Sequence, residues 1–312
     1  MKTQNRRKFF KTLGSIGMLT AFSSIPLKLL ANKSEDYIKL SILSTNDVHS
    51  RIDPFPMTDK RNPGMAGFAR RASLIKKIRK EEEHVLLFDS GDIFQGTPYF
   101  NMFGGELELK LMSEMAYDAA TMGNHDFDNG LEGFDKQLHN ASFPFLTANY
   151  DFSRTLLKDK TKKSIIFEKG PIKIGVFGLG VELDGLVGKN NYKDTVYLDP
   201  IEIGNATADQ LRADGCHLVI CLSHLGYSYK NNKVSDIVLA KESNNIDLIL
   251  GGHTHTFLEH ADEIINKNGN KVWVSQNGWG GILLGKIDFY FSKGDLSNIS
   301  SINTTIKVKS QG

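Results

Sequence analysis

Apolar runs of strand length alternate along the chain with segments of helical periodicity, and this pattern predicts most of the fold. The predicted strands are Ile38–Leu43, Val85–Phe88, Ala119–Met122, Phe145–Ala148, Ile165–Phe167, Ile172–Phe177, His217–Leu222, Ile246–Leu250, Val272–Ser275 and Ile282–Phe291. The predicted helices are Phe68–Glu83, Glu106–Met115, Leu131–Asn140, Ile201–Ala213 and Val234–Glu242. Strands that alternate with helices indicate a layered α/β fold with buried sheets. The last two strands are expected to be antiparallel.

Polar clusters follow five of these strands. They are Asp47-Val48-His49, Gly91-Asp92, Gly123-Asn124-His125-Asp126-Phe127-Asp128, Ser223-His224 and Gly252-His253-Thr254-His255. In open α/β sheets, ligands bind at the edge formed by the carboxyl ends of the strands. We therefore expect clusters that lie far apart in sequence to meet at one site.

The side chains in these clusters are those of a two-metal hydrolytic site. Two divalent ions ~3.5–4 Å apart balance developing negative charge and make bound water more acidic. Such ions accept carboxylate, imidazole and carbonyl-oxygen ligands, and one carboxylate is expected to bridge them. The combination of Asp, His and Asn predicts a site that cleaves phosphoesters.

The local pattern assigns roles to the first two clusters. Asp47 and His49 alternate along a segment read as extended, so both side chains are expected to project to one side. Asp92 follows a buried strand, and the nearby Gly91 and Gly96 leave room for another backbone to approach. We predict that Asp92 bridges the two metals, although an isolated Asp at such a place more often caps a turn.

The segment from Gly123 to Asp128 is the most specific in the chain. Asn124 offers an amide oxygen, and His125 offers an imidazole with Asp126 and Asp128 close behind it. An aspartate beside a histidine fixes its tautomer and favours the imidazolium. A charged His125 would steady the phosphoryl oxygens or protonate the leaving group.

Histidines supply the remaining ligands. His224 follows an apolar strand, where a lone histidine is more often structural, and His253 and His255 alternate across a glycine-rich turn. Four histidines fit no cluster and are predicted to be surface or capping residues: His84, His139, His217 and His260. The two cysteines, Cys216 and Cys221, are predicted to be buried free thiols.

The charge distribution excludes one class of partner. The 312 residues carry a formal net charge of +2, but residues 1–31 contain six bases and no acid, which leaves −4 on the remainder. A protein that binds a nucleic-acid polymer presents a cationic stripe to the phosphates. The composition after residue 31 offers no such stripe, so we expect no nucleic-acid polymer as partner.

Residues 1–33 resemble a twin-arginine export signal. The paired Arg6 and Arg7 precede an aromatic pair, and the weakly apolar run Leu13–Ile25 ends before Lys28. The run is too short to span a bilayer and lacks a helical stripe, so an amphipathic start to the fold fits poorly. The sequence predicts export across a bacterial inner membrane to the periplasm, with membrane attachment only through an uncleaved signal.

Together these segments resemble the calcineurin-like metallophosphoesterases, and within them the catalytic domain of 5′-nucleotidases and 2′,3′-cyclic phosphodiesterases. The likeness extends from Ile38 to Phe291 and rests on Ser44–His49, Gly91–Pro98, Gly123–Asp128, Ser223–Gly226 and Gly251–Thr256. It implies a four-layer α/β/β/α sandwich of two mixed sheets, in a single catalytic domain over residues 34–312.

The resemblance also implies which residues bind metal. One ion would be held by Asp47, His49, Asp92 and His255. The other would be held by Asp92, Asn124, His224 and His253. His125 and Asp128 would form the catalytic dyad. The two divalent ions would be Mn²⁺, Zn²⁺, Fe or Ca²⁺, all of which suit parts of this oxygen and nitrogen set.

The implied activity is release of phosphate from nucleotides or related small phosphoesters by attack of a metal-activated hydroxide. The alternatives are a 2′,3′-cyclic nucleotide phosphodiesterase, a nucleotide-sugar or other phosphodiesterase, a dimetal thiohydrolase, and a non-catalytic binding protein. Two-domain nucleotidases carry a C-terminal domain that holds the nucleotide, and the sequence to Gly312 is expected to lack it. A separate chain is the expected source of that domain.

Overall fold

Strands and helices alternate along the part of the chain that the computed structural model describes, residues 36–231 and 233–309. The strands are β1 (Tyr37–Thr45), β2 (Val85–Asp89), β3 (Ala119–Ala120), β4 (Tyr150–Asp151), β5 (Ser164–Lys169), β6 (Ile172–Leu179), β7 (Val196–Tyr197), β8 (Leu218–Ser223), β9 (Leu248–Leu250), β10 (Asp262–Ile265), β11 (Lys271–Ser275), β12 (Leu283–Ser292) and β13 (Asp295–Lys307). The helices are α1 (Phe68–Glu81), α2 (Pro98–Phe103), α3 (Glu106–Glu114), α4 (Gly130–Leu138), α5 (Lys189–Tyr192), α6 (Pro200–Ala213) and α7 (Asp236–Glu242), with a 3₁₀ turn at Asn124–Phe127. The predicted export segment, residues 1–33, lies outside the described residues.

Two large sheets form the centre of the fold. The first has the strand order β13-β12-β1-β2-β3, and the second has the order β10-β11-β9-β8-β6-β5. Strands β1, β2 and β3 are parallel, as are β6, β8, β9 and β11. The outer strands β13, β5 and β10 pair antiparallel with their neighbours. Both sheets are therefore mixed, as the family resemblance implied.

Three apolar layers join the sheets to each other and to the helices. Phe88 of the first sheet and Leu248 of the second belong to one buried cluster between the sheets. The other face of the first sheet packs on α1, α3 and α4 through residues such as Ile75, and the other face of the second sheet packs on α6 and α7 through Leu211 and Leu239. The structure is thus a four-layer α/β/β/α sandwich, which confirms the predicted fold.

The structure also corrects the predicted elements. Phe145–Ala148 is not a strand, since Phe145 and Leu146 form only single bridges to Ala120 and Lys162. Strand β11 pairs parallel with β9, so it belongs to the second sheet and is not part of an antiparallel C-terminal unit with β12. Strands β10 and β13 were not predicted, because they lie half exposed and contain no continuous apolar run. Apolar runs indicate which segments are buried, but they do not identify the pairing partner.

The cysteines and three of the four histidines outside the polar clusters agree with the sequence predictions, whereas the His84 side chain is only 18% exposed. Cys216 and Cys221 are buried free thiols. His139 and His260 are exposed, whereas the His217 Nδ1 caps the start of β6 by accepting from the Lys173 N–H at 3.0 Å. Within residues 36–231 and 233–309, none of the helices combines the length and the apolar character needed to cross a bilayer.

Candidate metal centre

The predicted ligands meet at one edge of the molecule, because each lies just past the carboxyl end of β1, β2, β3, β8 or β9. Six of the seven fall into two groups whose ligand atoms lie within 4.8 Å of one another. The first group is Asp47, His49 and His255, and the second group is Asp92, His224 and His253. Segments that are far apart in the chain therefore converge, as the strand-end pattern predicted.

The first group is compact. The Nε2 atoms of His49 and His255 are 3.0 Å apart. Asp47 Oδ1 lies 3.4 Å from the His255 Nε2 and 3.9 Å from the His49 Nε2. Two imidazole nitrogens and one carboxylate oxygen thus face a common point. The His255 side chain is 41% exposed, so this point is open to solvent on the side of His255.

Asp92 connects the two groups. Its Oδ2 lies 3.1 Å from the His224 Nε2 in the second group and 3.9 Å from the His49 Nε2 in the first. The His224 Nε2 in turn lies 4.0 Å from Asp47 Oδ1. One carboxylate oxygen therefore faces nitrogens of both groups, which is the arrangement expected of a bridging ligand.

Two buried atoms of the predicted ligands lack hydrogen-bond partners among the described residues. They are the Asn124 Oδ1 and the His224 Nε2; the nearest carboxylate to the latter is the Asp92 Oδ2, at 3.1 Å. A buried polar atom left unpaired costs about 1–3 kcal/mol. Both atoms were predicted as ligand atoms, and carboxylate, imidazole and amide oxygen together form a donor set for divalent cations. The residues present therefore fit the two divalent ions.

Backbone carbonyls orient two of the imidazoles. The His224 Nδ1 lies 2.7 Å from the Ser90 carbonyl oxygen, and the His49 Nδ1 lies 3.3 Å from that of Phe94. A histidine that donates Nδ1–H to a carbonyl presents an unprotonated Nε2 as its ligand atom. The loop that follows β2 thereby turns both Nε2 atoms toward the centre.

Burial and neighbouring charges shift the pKa values of the candidate ligands in different directions. Burial alone would raise the pKa of Asp92, but the imidazoles of His224 and His49 outweigh burial and hold the pKa below its ordinary value. Burial alone would lower the pKa of His224, yet Asp92 and Asp47 raise the pKa to about 10. Burial, together with nearby His224, lowers the pKa of His253 to about 4. Since a ligating imidazole must be unprotonated, these neighbours favour the ligand form of His253 and oppose that of His224.

Five candidate ligands have a left-handed backbone, which no sequence pattern indicated. The φ angles are 49° for Asp47, 50° for His49, 55° for Asp92, 72° for His253 and 53° for His255. Each such residue costs of order 1–3 kcal/mol and persists only where its surroundings hold it. The expected extended segment at Asp47–His49 is therefore wrong: the two side chains meet through left-handed turns and not through strand alternation.

His125 and Asp128 form the expected pair. The His125 Nδ1 lies 2.8 Å from the Asp128 Oδ2. This hydrogen bond is the main cause of a raised pKa at His125, and burial opposes it. The His125 ring lies beside the first group, with its centroid 5.2 Å from that of His49. A histidine that holds its proton is thus placed at the rim of the candidate centre.

Asp126 organises the backbone and does not contact the imidazole. Its carboxylate accepts four backbone N–H groups: Asp92 at 3.0 Å, Ile93 at 3.0 Å, Phe94 at 3.2 Å and Gly123 at 2.8 Å. These bonds tie the loop after β2 to the loop after β3. The sequence alone places both Asp126 and Asp128 near His125, and the structure shows that Asp128 bonds the imidazole while Asp126 bonds the backbone.

Comparisons with known proteins agree with this geometry. The family model for calcineurin-like phosphoesterases matches residues 40–257. A snake venom 5′-nucleotidase from Crotalus adamanteus is 34% identical over 275 residues, which are 83% of this chain and 45% of that protein. The trifunctional nucleotide phosphoesterase protein YfkN of Bacillus subtilis (strain 168) is 32% identical over 84% of this chain and 19% of its own length. The crystal structure of the 5′-nucleotidase precursor from Thermus thermophilus matches with a TM-score of 0.75 at 28% identity, over 86% of this chain and 55% of that one.

The sandwich and the polar centre at its edge are those of a metallophosphoesterase. The chain belongs to the calcineurin-like phosphoesterase family, and its relatives within that family include 5′-nucleotidases. The resemblance drawn from the five polar clusters is thereby confirmed. The chain spans less than half the length of the snake venom relative that it matches.

Proposed function

We propose that this chain is a dinuclear phosphoesterase that releases phosphate from 5′-nucleotides or related small phosphoesters. The first ion would be held by Asp47, His49, Asp92 and His255. The second ion would be held by Asp92, Asn124, His224 and His253. The observation that carries the proposal is the position of the Asp92 Oδ2, which faces imidazole nitrogens of both groups at 3.1 and 3.9 Å.

The chain's own residues prepare the site for this reaction. When bound, two divalent ions offset negative charge on a phosphoryl group and lower the pKa of water. Asp47, Asp92 and His224 are buried, so the ligands lie in a medium of low dielectric where their charges act strongly. His125 faces the same edge and keeps its proton through Asp128, and in that form it stabilises phosphoryl oxygens or protonates the leaving oxygen.

Nucleotides are the proposed substrates because the relatives are named for them. The 5′-nucleotidases and the nucleotide phosphoesterase match this chain over only part of their own lengths, so specificity is tested directly. We would assay AMP, UDP-glucose, 2′,3′-cyclic AMP and an aryl phosphate after reconstitution with Mn²⁺, Zn²⁺, Fe²⁺ or Ca²⁺. AMP as the best substrate supports the proposal, and preference for the cyclic nucleotide favours the phosphodiesterase alternative.

The separate chain expected to complete the nucleotide site stays a prediction. The same assays, run with and without a candidate partner domain, test it. We expect weak, base-independent hydrolysis by the chain alone and tighter, base-selective hydrolysis with the partner. Tight and base-selective hydrolysis of AMP by the chain alone would show that no partner is needed.

Substitution of the proposed bridging carboxylate tests the two-metal centre. Replacing an outer contact of a metal site typically costs 10–100-fold, so loss of a shared ligand in Asp92→Asn should lower kcat by more than about 100-fold. Asp118→Asn is the matched control. Asp118 lies just before the amino end of β3, away from the site edge, and accepts from the Leu87 N–H. Steady-state hydrolysis of the best substrate measures both variants. Near-normal turnover by Asp92→Asn would refute the two-metal proposal.

A further inference from the structure

A buried glutamine outside the polar clusters contacts the loop of residues 252–256, called here the ligand loop. Gln276 follows β11, and its side chain is fully buried. Its Nε2 donates to the Gly252 carbonyl oxygen at 2.6 Å. Its Oε1 accepts from the Thr256 N–H and from the Thr254 Oγ1, the latter at 3.1 Å. One side chain therefore bonds the first, middle and last residues of the ligand loop.

The residues between these contacts are two candidate ligands in an unfavourable conformation. His253 and His255 have φ angles of 72° and 53°. Residues other than glycine keep left-handed angles only where the surroundings fix them. Backbone hydrogen bonds anchor the ends of the loop, from the Gly251 N–H to Ser275 and from the Gly278 N–H to Thr256. Gln276 adds contacts that reach across its interior.

We propose that Gln276 is a positioning residue that holds His253 and His255 at the separation the two ions require. A primary amide suits this role because it donates and accepts at once, which neither a carboxylate nor a thioether does. The inference rests on the metal centre of the proposed function and is independent of the substrate. It predicts that metal affinity depends on a side chain that is not itself a ligand.

Binding of Mn²⁺ to the metal-free full chain tests this role. Gln276→Met keeps much of the side-chain volume and removes both kinds of hydrogen bond, so we expect calorimetry to show Mn²⁺ affinity weakened by about 10- to 100-fold. Gln137→Met is the matched control, since Gln137 is also a buried glutamine that accepts a side-chain hydrogen bond, but it lies in α4. Urea unfolding of both metal-free variants measures their stability. Gln276→Asn, whose shorter amide cannot span the ligand loop, replaces Gln276→Met if the latter does not fold.

The outcomes separate positioning from general destabilisation. A positioning role predicts that saturating Mn²⁺ restores most of the kcat of Gln276→Met, and that Gln137→Met binds Mn²⁺ like the wild type. Unchanged Mn²⁺ affinity in folded Gln276→Met would overturn the proposal, as would equal losses in both variants. A wild-type chain that binds neither Mn²⁺ nor Zn²⁺, Fe²⁺ or Ca²⁺ would overturn the metal centre itself, and with it the proposed function.

Discussion

At the residue scale, Asp128 raises the pH up to which His125 keeps its proton. The hydrogen bond from His125 to Asp128 raises the pKa of His125, so the cationic form persists to higher pH than in a free histidine. Asp128→Asn removes the negative charge and should lower that pKa. If the cation takes part in the reaction, the alkaline limb of the kcat profile must then move to lower pH.

Profiles of kcat against pH, measured at saturating metal, check this prediction. Asp135→Asn serves as the control, because Asp135 forms a surface ion pair with Lys160 and does not contact His125. Its alkaline limb should match that of the wild type. An unmoved limb in Asp128→Asn, or one displaced to higher pH, would mean that His125 does not act as a cation.

Residue types were predictable at this scale, whereas backbone conformation was not. The carboxylates and imidazoles at strand ends are visible in the sequence, and the structure brings them together. The left-handed angles of Asp47 and His49 are not visible, because they depend on the loop after β2, which lies far along the chain. Gln276 gives no signal either: a glutamine after a strand is usually exposed, and its three contacts exist only once β11 lies beside β9.

At the element scale, the loops after β2 and β3 touch so closely that one methyl group would separate them. A Cβ on Gly123 would lie 2.2 Å from the Asp92 Oδ1 and 2.5 Å from the Asp92 backbone nitrogen. Gly123→Ala should therefore displace Asp92 and lower both Mn²⁺ affinity and kcat by more than about 10-fold, in the range typical of disturbed support around a metal. Gly188→Ala, whose Cβ meets nothing within 4 Å, should leave both unchanged.

Calorimetric titration with Mn²⁺ and steady-state assays on the two glycine variants decide this prediction. Wild-type affinity in Gly123→Ala would show that the loops have room to separate without moving the proposed bridging carboxylate, Asp92. Loss of affinity in both variants would point to a general effect of alanine in these loops.

Elements with strong local signals were predictable, and those defined by pairing were not. Helix α6 was predicted as Ile201–Ala213; it begins at Pro200 after Asp199, whose side chain accepts from the Ile201 and Glu202 N–H groups. Strand β13 is long but polar, and it forms because β12 offers it an edge. Residues Phe145–Ala148 do not form the predicted strand, since Phe145 and Leu146 make only single bridges to other segments.

At the scale of the whole molecule, the strand-end rule placed the site without knowledge of the sheet order. Local patterns indicated alternating strands and helices, and the resemblance added the two stacked sheets. The strand order β10-β11-β9-β8-β6-β5 could not be predicted from the sequence. A run such as Leu218–Ser223 is apolar almost throughout and would fit any central position in a sheet. Position at the carboxyl edge sufficed for the site, since that edge is shared by all parallel strands of a sheet.

Metal binding should stabilise the whole fold, because it involves ligands from both sheets. An ion that binds only the folded state adds about 2.7 kcal/mol when its concentration is 100 times Kd. Thermal unfolding with excess Mn²⁺ should therefore occur at a higher Tm than with EDTA. Asp92→Asn should lose most of this increase, and Asp118→Asn should keep it. A Tm that does not respond to any of the four ions would be evidence against a metal centre.

The predicted export signal can be tested on the chain of residues 1–312. A twin-arginine route carries proteins already folded, which suits a site whose ligands converge only after both sheets have formed. Arg6→Lys with Arg7→Lys preserves the charge but removes the guanidinium groups, and the two side chains are not interchangeable in recognition. We expect this double variant to stay in the cytoplasm of a bacterial host while the wild type reaches the periplasm, as measured by fractionation and metal-supplemented phosphoesterase assay. Lys8→Arg is the control and should be exported normally; export of the double variant at the wild-type level would show that the paired arginines do not direct this protein across the membrane.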